Sequence, residues 1–146
     1  SPRRAGPRRR ATAFRNGADR PIPPLHSATL PMGYRPDLDT TLRRYAEAWN
    51  TEDPDARWAL IHACAAPEVT YLGSESDRPV EGQAAMVAFL GMPDSGGAFE
   101  LGPHSTHHHW VRAPWRRVSA NGITTGLLVA ELDRQNRLHR ILHFMD

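Results

Sequence analysis

Apolar residues return at helical intervals from position 37 onward. Leu38, Leu42, Tyr45, Ala46 and Trp49 fall on one face of a turn of 3.6 residues, with polar or small residues between them. The pattern predicts a helix capped by Asp37 or Asp39, since either acid suits the positive end of the helix dipole. Asn50 to Asp53 interrupt it. Asp53-Pro54 then reads as an N-cap followed by proline at the first helical position. The second helix carries Trp58, Ile61, His62 and Cys64 and ends before Pro67. A third begins after Gly82, presents Met86, Phe89 and Leu90, and stops at Gly91.

The remaining apolar runs have strand character. Residues 69–72 form a short β-rich run, and residues 78–80 suffice for an edge strand only. Residues 99–101 precede one long strand over 104–119, HSTHHHWVRAPWRRVS, which gathers four histidines, two tryptophans and three arginines. Asn121-Gly122 predicts a type I′ hairpin turn. Residues 123–132 and 138–145 give two more strands, joined by a turn over 133–136. Pro114 has no amide donor, so it requires a sheet edge or a bulge. Three helices followed by an antiparallel meander make an α+β chain.

Composition separates a leader from this domain. Residues 1–31 hold six prolines and seven arginines against one acid, a net +6, with almost no periodic apolar residues. Such a segment buries too little surface to offset the entropy of ordering it, so it reads as a disordered leader upstream of Met32. The remainder holds eleven arginines against fifteen acids, a net −4. The basic balance of the whole chain thus belongs to the leader and gives weak grounds for a nucleic-acid partner. All eighteen basic residues are arginine. With a single cysteine, Cys64, no internal disulfide forms, and no apolar run approaches membrane-spanning length. The expected location is cytoplasmic.

The order of motifs resembles the nuclear transport factor 2-like superfamily, which includes ketosteroid isomerases and SnoaL-like polyketide cyclases. The resemblance covers residues 37–146. It rests on LRRYAEAWNTEDPD (42–55), PEVTYLG (67–73), VEGQAAMVAFL (80–90), HHHWVRAPW (107–115) and ELDRQNRLHRILHF (131–144). In the last piece Asn136 replaces a glycine of the family's turn, a mild change because asparagine tolerates left-handed backbone. The resemblance implies three helices on a curved antiparallel sheet, a cone with an apolar pocket at its open end. It also implies that Tyr45 occupies the oxyanion-donor position of ketosteroid isomerases. The family's aspartate base and second acid would fall at about Leu72 and Leu128, both apolar here, which argues against steroid isomerisation by that machinery.

The histidine strand then supplies the candidate chemistry. On a continuous strand His107 and His109 share one face, and imidazole moves protons near neutral pH. Tyr45, His107 and His109 are the expected catalytic groups; Trp49, Tyr71, Arg112 and Trp115 are the expected binding residues. Arg112 could instead pair with Glu131, and the tryptophans could instead fill the core. A metal held by His107, His109, His139 and His143 is disfavoured because no carboxylate follows on the same strand. The reading is a cofactor-free cyclase, isomerase or dehydratase acting on a small, partly apolar carbonyl compound. The alternative is a non-catalytic binding or scaffold protein of the same fold. Apolar positions on both faces of the sheet, among them Leu127, Val129, Leu138 and Leu142, suggest a homodimer.

Overall fold

The computed structural model describes residues 30–92 and 97–146. A 3₁₀ turn (Pro36–Leu38) leads into helices α1 (Asp39–Asn50) and α2 (Pro54–Cys64), strands β1 (Ala65–Leu72) and β2 (Val80–Glu81), and helix α3 (Gln83–Leu90). Five strands follow: β3 (Ala98–Leu101), β4 (Ser105–His107), β5 (Trp110–Ser119), β6 (Gly122–Leu132) and β7 (Leu138–Met145). The three helices and the closing hairpin stand where the periodicity predicts them. Asp53 accepts from the Ala56 amide at 2.9 Å with Pro54 behind it, a cap of about 1 kcal/mol. α1 is capped differently from expectation. Neither Asp37 nor Asp39 bonds its first turn; Asp37 takes Arg35 and Asn136, and Asp39 takes Tyr34.

One curved seven-stranded sheet wraps the helices in the order β2-β1-β7-β6-β5-β3, with β4 also on β5. The pairings are antiparallel except β1 with β7, which is parallel, so the sheet is mixed. A register shift between Ala65 and Thr70 accommodates Pro67 inside β1, which starts earlier than its β-rich run suggests. Alternation decides the faces. Val111, Ala113 and Trp115 of β5, Leu128 and Ala130 of β6, Ile141 and His143 of β7, and Val69 and Tyr71 of β1 are buried on the concave side. There they meet Leu42, Tyr45, Ala48 and Trp49 of α1. Burying each large side chain contributes roughly 2 kcal/mol.

The stretch 104–119 is two strands. His107 pairs with Trp110, and the chain reverses through His108 and His109, with His108 at φ 53°. The hairpin after β5 also turns one residue earlier than Asn121-Gly122 predicts. Ser119 pairs with Gly122, which carries the positive φ of 120°, and Asn121 does not, so the turn is not type I′. Asn136 does adopt left-handed backbone, at φ 61°. Its side chain accepts from Arg35 at 3.0 Å and donates to Asp37 at 2.9 Å. The leader lies, apart from its last two residues, outside the described residues. The packed domain begins upstream of residue 37: the Thr106 amide donates to the Gly33 carbonyl at 2.9 Å, and buried His104 holds the Arg35 backbone through Nε2.

Gly126 lies where β6 passes under the Trp115 indole. A Cβ there would overlap both that ring and the Phe144 carbonyl oxygen. Gly126→Ala is expected to cost about 3 kcal/mol, because backbone on one side and a packed ring on the other leave no relaxation. Urea denaturation measures it; an unchanged midpoint would contradict the close approach.

Candidate functional site

The centre of the concave face is a polar group enclosed by rings. His143 reaches it because β7 alternates Ile141 and His143 inward while Leu142 and Phe144 point outward. Its imidazole lies near-parallel to Phe99, Trp49 and Trp115, at centroid distances of 5.7, 5.5 and 5.6 Å. Tyr45, fully buried on α1, completes the enclosure with its hydroxyl 2.9 Å from His143 Nε2. Burial drives the His143 pKa down to about 3, and the Arg117 charge nearby adds to the shift. The ring is therefore neutral at cellular pH. Burial also pushes the Tyr45 hydroxyl well above its ordinary value, so it stays protonated and available as a donor. With Tyr45 donating to Nε2, the proton of the neutral ring sits on Nδ1. Nδ1 has no partner among the described residues.

Arg117 enters the same space from β5, one alternation beyond Trp115. Its guanidinium carbon sits 4.5 Å over the Trp49 ring and 6.0 Å from that of Trp115. Nη1 lies 3.6 Å from Glu75, while Nε and Nη2 have no hydrogen-bond partner among the described residues. The Trp115 indole N–H is likewise unpartnered, and the Trp49 N–H is directed at the Tyr45 oxygen without reaching good hydrogen-bond geometry. Glu75 follows β1 in the Gly73–Ser76 turn and accepts from the Tyr71 hydroxyl. Burial raises the Tyr71 hydroxyl far above its ordinary value, with Tyr45 and Glu75 adding to the effect. Glu75 and Arg117 keep 27% and 12% of their side chains exposed, so this end of the interior opens to solvent. Buried donors without acceptors cost about 1–3 kcal/mol each, and several converge here.

Of the expected site residues, Tyr45, Trp49, Tyr71 and Trp115 meet in this interior. His107, His109 and Arg112 do not. The turn at His108–His109 puts both outer histidines on an exposed hairpin, where His109 lies 3.3 Å from Glu131. Arg112 pairs with Val129 on the convex face and donates to Ser105 at 3.2 Å. Glu131 bonds Arg140 at 2.7 Å instead. Leu72 also points outward, whereas Leu128 faces inward directly opposite His143. His143, Arg117 and Glu75 are the groups the sequence did not single out for this role. Among the described residues no three metal-ligating side chains converge.

The architecture is an α+β cone whose aromatic interior encloses one imidazole. No protein-family model and no curated protein matches the sequence. Solved structures do. A SnoaL-like-family protein of Agrobacterium tumefaciens strain C58, proposed to be an isomerase, is 28% identical with a TM-score of 0.63, over 73% of this chain and 95% of that one. An NTF2-like protein of unknown function from Exiguobacterium sp. 255-15 is 19% identical (TM-score 0.57, 73% and 98% covered). A proposed ketosteroid isomerase from Kribbella flavida DSM 17836 is 16% identical (TM-score 0.57, 73% and 75% covered). The chain has the nuclear transport factor 2-like fold that these solved structures share.

Neutral His143 makes stability depend on pH in a defined direction. Its folded-state pKa of about 3 lies below the ordinary histidine value of 6.5, so between these values the unfolded chain binds the extra proton. Stability present above pH 6.5 is therefore lost as pH falls toward 3. From pH 7 to pH 5 this group alone costs about 2 kcal/mol. Urea midpoints at the two pH values should move less in His143→Gln; an equal shift would assign the acid sensitivity elsewhere.

Proposed function

We propose that the cone interior binds a small carbonyl compound and enolises it without a cofactor. The supporting observation is the neutral His143 imidazole, with Tyr45 on one nitrogen and an unpartnered N–H on the other. An uncharged imidazole in apolar surroundings polarises a carbonyl by donating a hydrogen bond to it. Glu75 stands at the open end as the proton acceptor. Its carboxylate removes a proton from the carbon next to the carbonyl, and the C–H electrons form the enolate double bond. The carbonyl π electrons move to oxygen, which receives the His143 Nδ1 hydrogen bond. Tyr45 positions the ring and fixes its tautomer. This replaces the role expected of His107 and His109. The SnoaL-like neighbour, itself proposed to be an isomerase, has a name consistent with such chemistry.

The rings stacked on His143 favour a second reading on one count. An interior filled by its own aromatic side chains suits a non-catalytic binding protein. Deuterium exchange separates the two. The wild-type chain should exchange the α-protons of acetone, pyruvate or 2-oxobutanoate in D₂O, followed by proton NMR. Glu75→Gln and His143→Gln should slow that exchange by about a hundredfold or more, and Tyr45→Phe by about tenfold. Exchange no faster than buffer with all three compounds would leave the binding reading.

We also propose a homodimer through the convex face. Pro114, Leu127, Val129 and Leu142 are half-buried there, and Phe144 is 55% exposed. A second copy would cover this apolar surface, which a one-layer sheet otherwise leaves wet. Sedimentation velocity at micromolar concentration should give a dimer, and Leu127→Glu should shift it to monomer; a wild-type monomer would refute the proposal.

A further inference from the structure

A guanidinium has two bidentate faces, and in Arg117 only one is engaged. Glu75 takes Nη1, at 3.6 Å, an ion pair longer than a hydrogen bond. The other face, formed by Nε and Nη2, has two parallel N–H donors aimed in one direction and no partner among the described residues. It is the edge whose spacing matches the two oxygens of a carboxylate. The side chain is held rather than free: it stacks on the Trp49 indole at 4.5 Å and only 12% of it is exposed. A guanidinium ordered in this way has lost most of its rotamer entropy before a ligand arrives, so little more is lost on binding. The remaining unpartnered groups of the interior, Trp115 Nε1–H and His143 Nδ1–H, are donors as well. With Tyr45 as the donor to His143 Nε2, none of them is an acceptor. A set made only of donors selects a ligand rich in acceptor oxygens.

We infer that the Nε–Nη2 edge of Arg117 holds the carboxylate of the ligand, so that the compound taken by this site is a small oxo acid. The inference rests on the interior site proposed above and adds the ligand's charge and its anchoring group. The carboxylate lies between Arg117 and the Trp115 indole N–H. The carbonyl oxygen then falls to His143 Nδ1, and the carbon between carboxylate and carbonyl, or next to the carbonyl, faces Glu75. Glu75 has opposing effects in this arrangement. It takes the proton, and its charge repels the incoming carboxylate across the shared guanidinium. Neutral ketones lack the anchor and enter with lower affinity.

Binding and exchange are measured separately on the full chain. Formate, acetate, pyruvate and benzoate are titrated by calorimetry, with acetone and benzamide as uncharged counterparts. At least one carboxylate should bind the wild type about tenfold or more tighter than its uncharged counterpart. Arg117→Gln should abolish that preference. Arg117→Lys, which keeps the charge and loses the fork, should lower affinity by about tenfold and serves as the variant more apt to fold. Glu75→Gln should bind the carboxylate more tightly than wild type while losing exchange. A guanidinium that merely braces the fold does not produce that opposite pair of effects. If no carboxylate binds, or if the Arg117 variants keep the full preference, the inference is overturned, and exchange on acetone would still stand for the enolisation reading. If carboxylates bind through Arg117 and no compound exchanges, the anchor is upheld and the enolisation reading fails.

Discussion

The hydrogen bond between Tyr45 and His143 joins the helix layer to the sheet at the centre of the cone. Each partner would be costly alone, since a buried hydroxyl and a buried imidazole both lose water. Together they satisfy the hydroxyl and one ring nitrogen, and the rings of Trp49, Phe99 and Trp115 close over the imidazole. With Tyr45 as its donor, the bond also leaves the ring proton on Nδ1. Position of α1, order of the rings and electronic state of the site therefore depend on one contact.

Much of the fold was legible because periodicity survives without tertiary information. The helix faces, the Asp53-Pro54 start, the closing hairpin with Asn136 at positive φ, and the break demanded by Pro114 are local features. The split of the histidine stretch was not. Turns are recognised by glycine, asparagine and proline, and here a histidine takes the left-handed position, which it tolerates better than most residues but rarely signals. One unrecognised turn moved His107 and His109 from a supposed pocket face to an exposed tip.

The candidate site was half legible for a related reason. Tyr45, Trp49, Tyr71 and Trp115 lie on faces that helical and strand periods assign correctly. His143 does not, because alternation on β7 offers two choices. Leu142 with Phe144 is the more apolar pair, yet it faces outward while Ile141 with His143 faces in. Hydrophobicity alone selects the wrong face; the deciding factor is a hydroxyl 98 residues away in sequence. Arg117 shares the inward alternation of Trp115, but a charged residue near a strand end ordinarily reads as solvated. Its burial depends on stacking against Trp49, which only the closed sheet brings there.

Pro114 shapes the outer boundary of the sheet. Its carbonyl accepts from the Gly102 amide at 2.8 Å, so its nitrogen, which has no hydrogen, faces the same flank. That flank is where β3 ends and β4 has not begun. The sheet therefore finishes in two short strands rather than one long one, and β5 never presents an unbroken row of donors and acceptors. An added strand from another chain would find a template four residues long at β3 and three at β4, too short for pairing to propagate. A single imino acid thus protects a strongly β-forming half of the chain from polymerising along its edge.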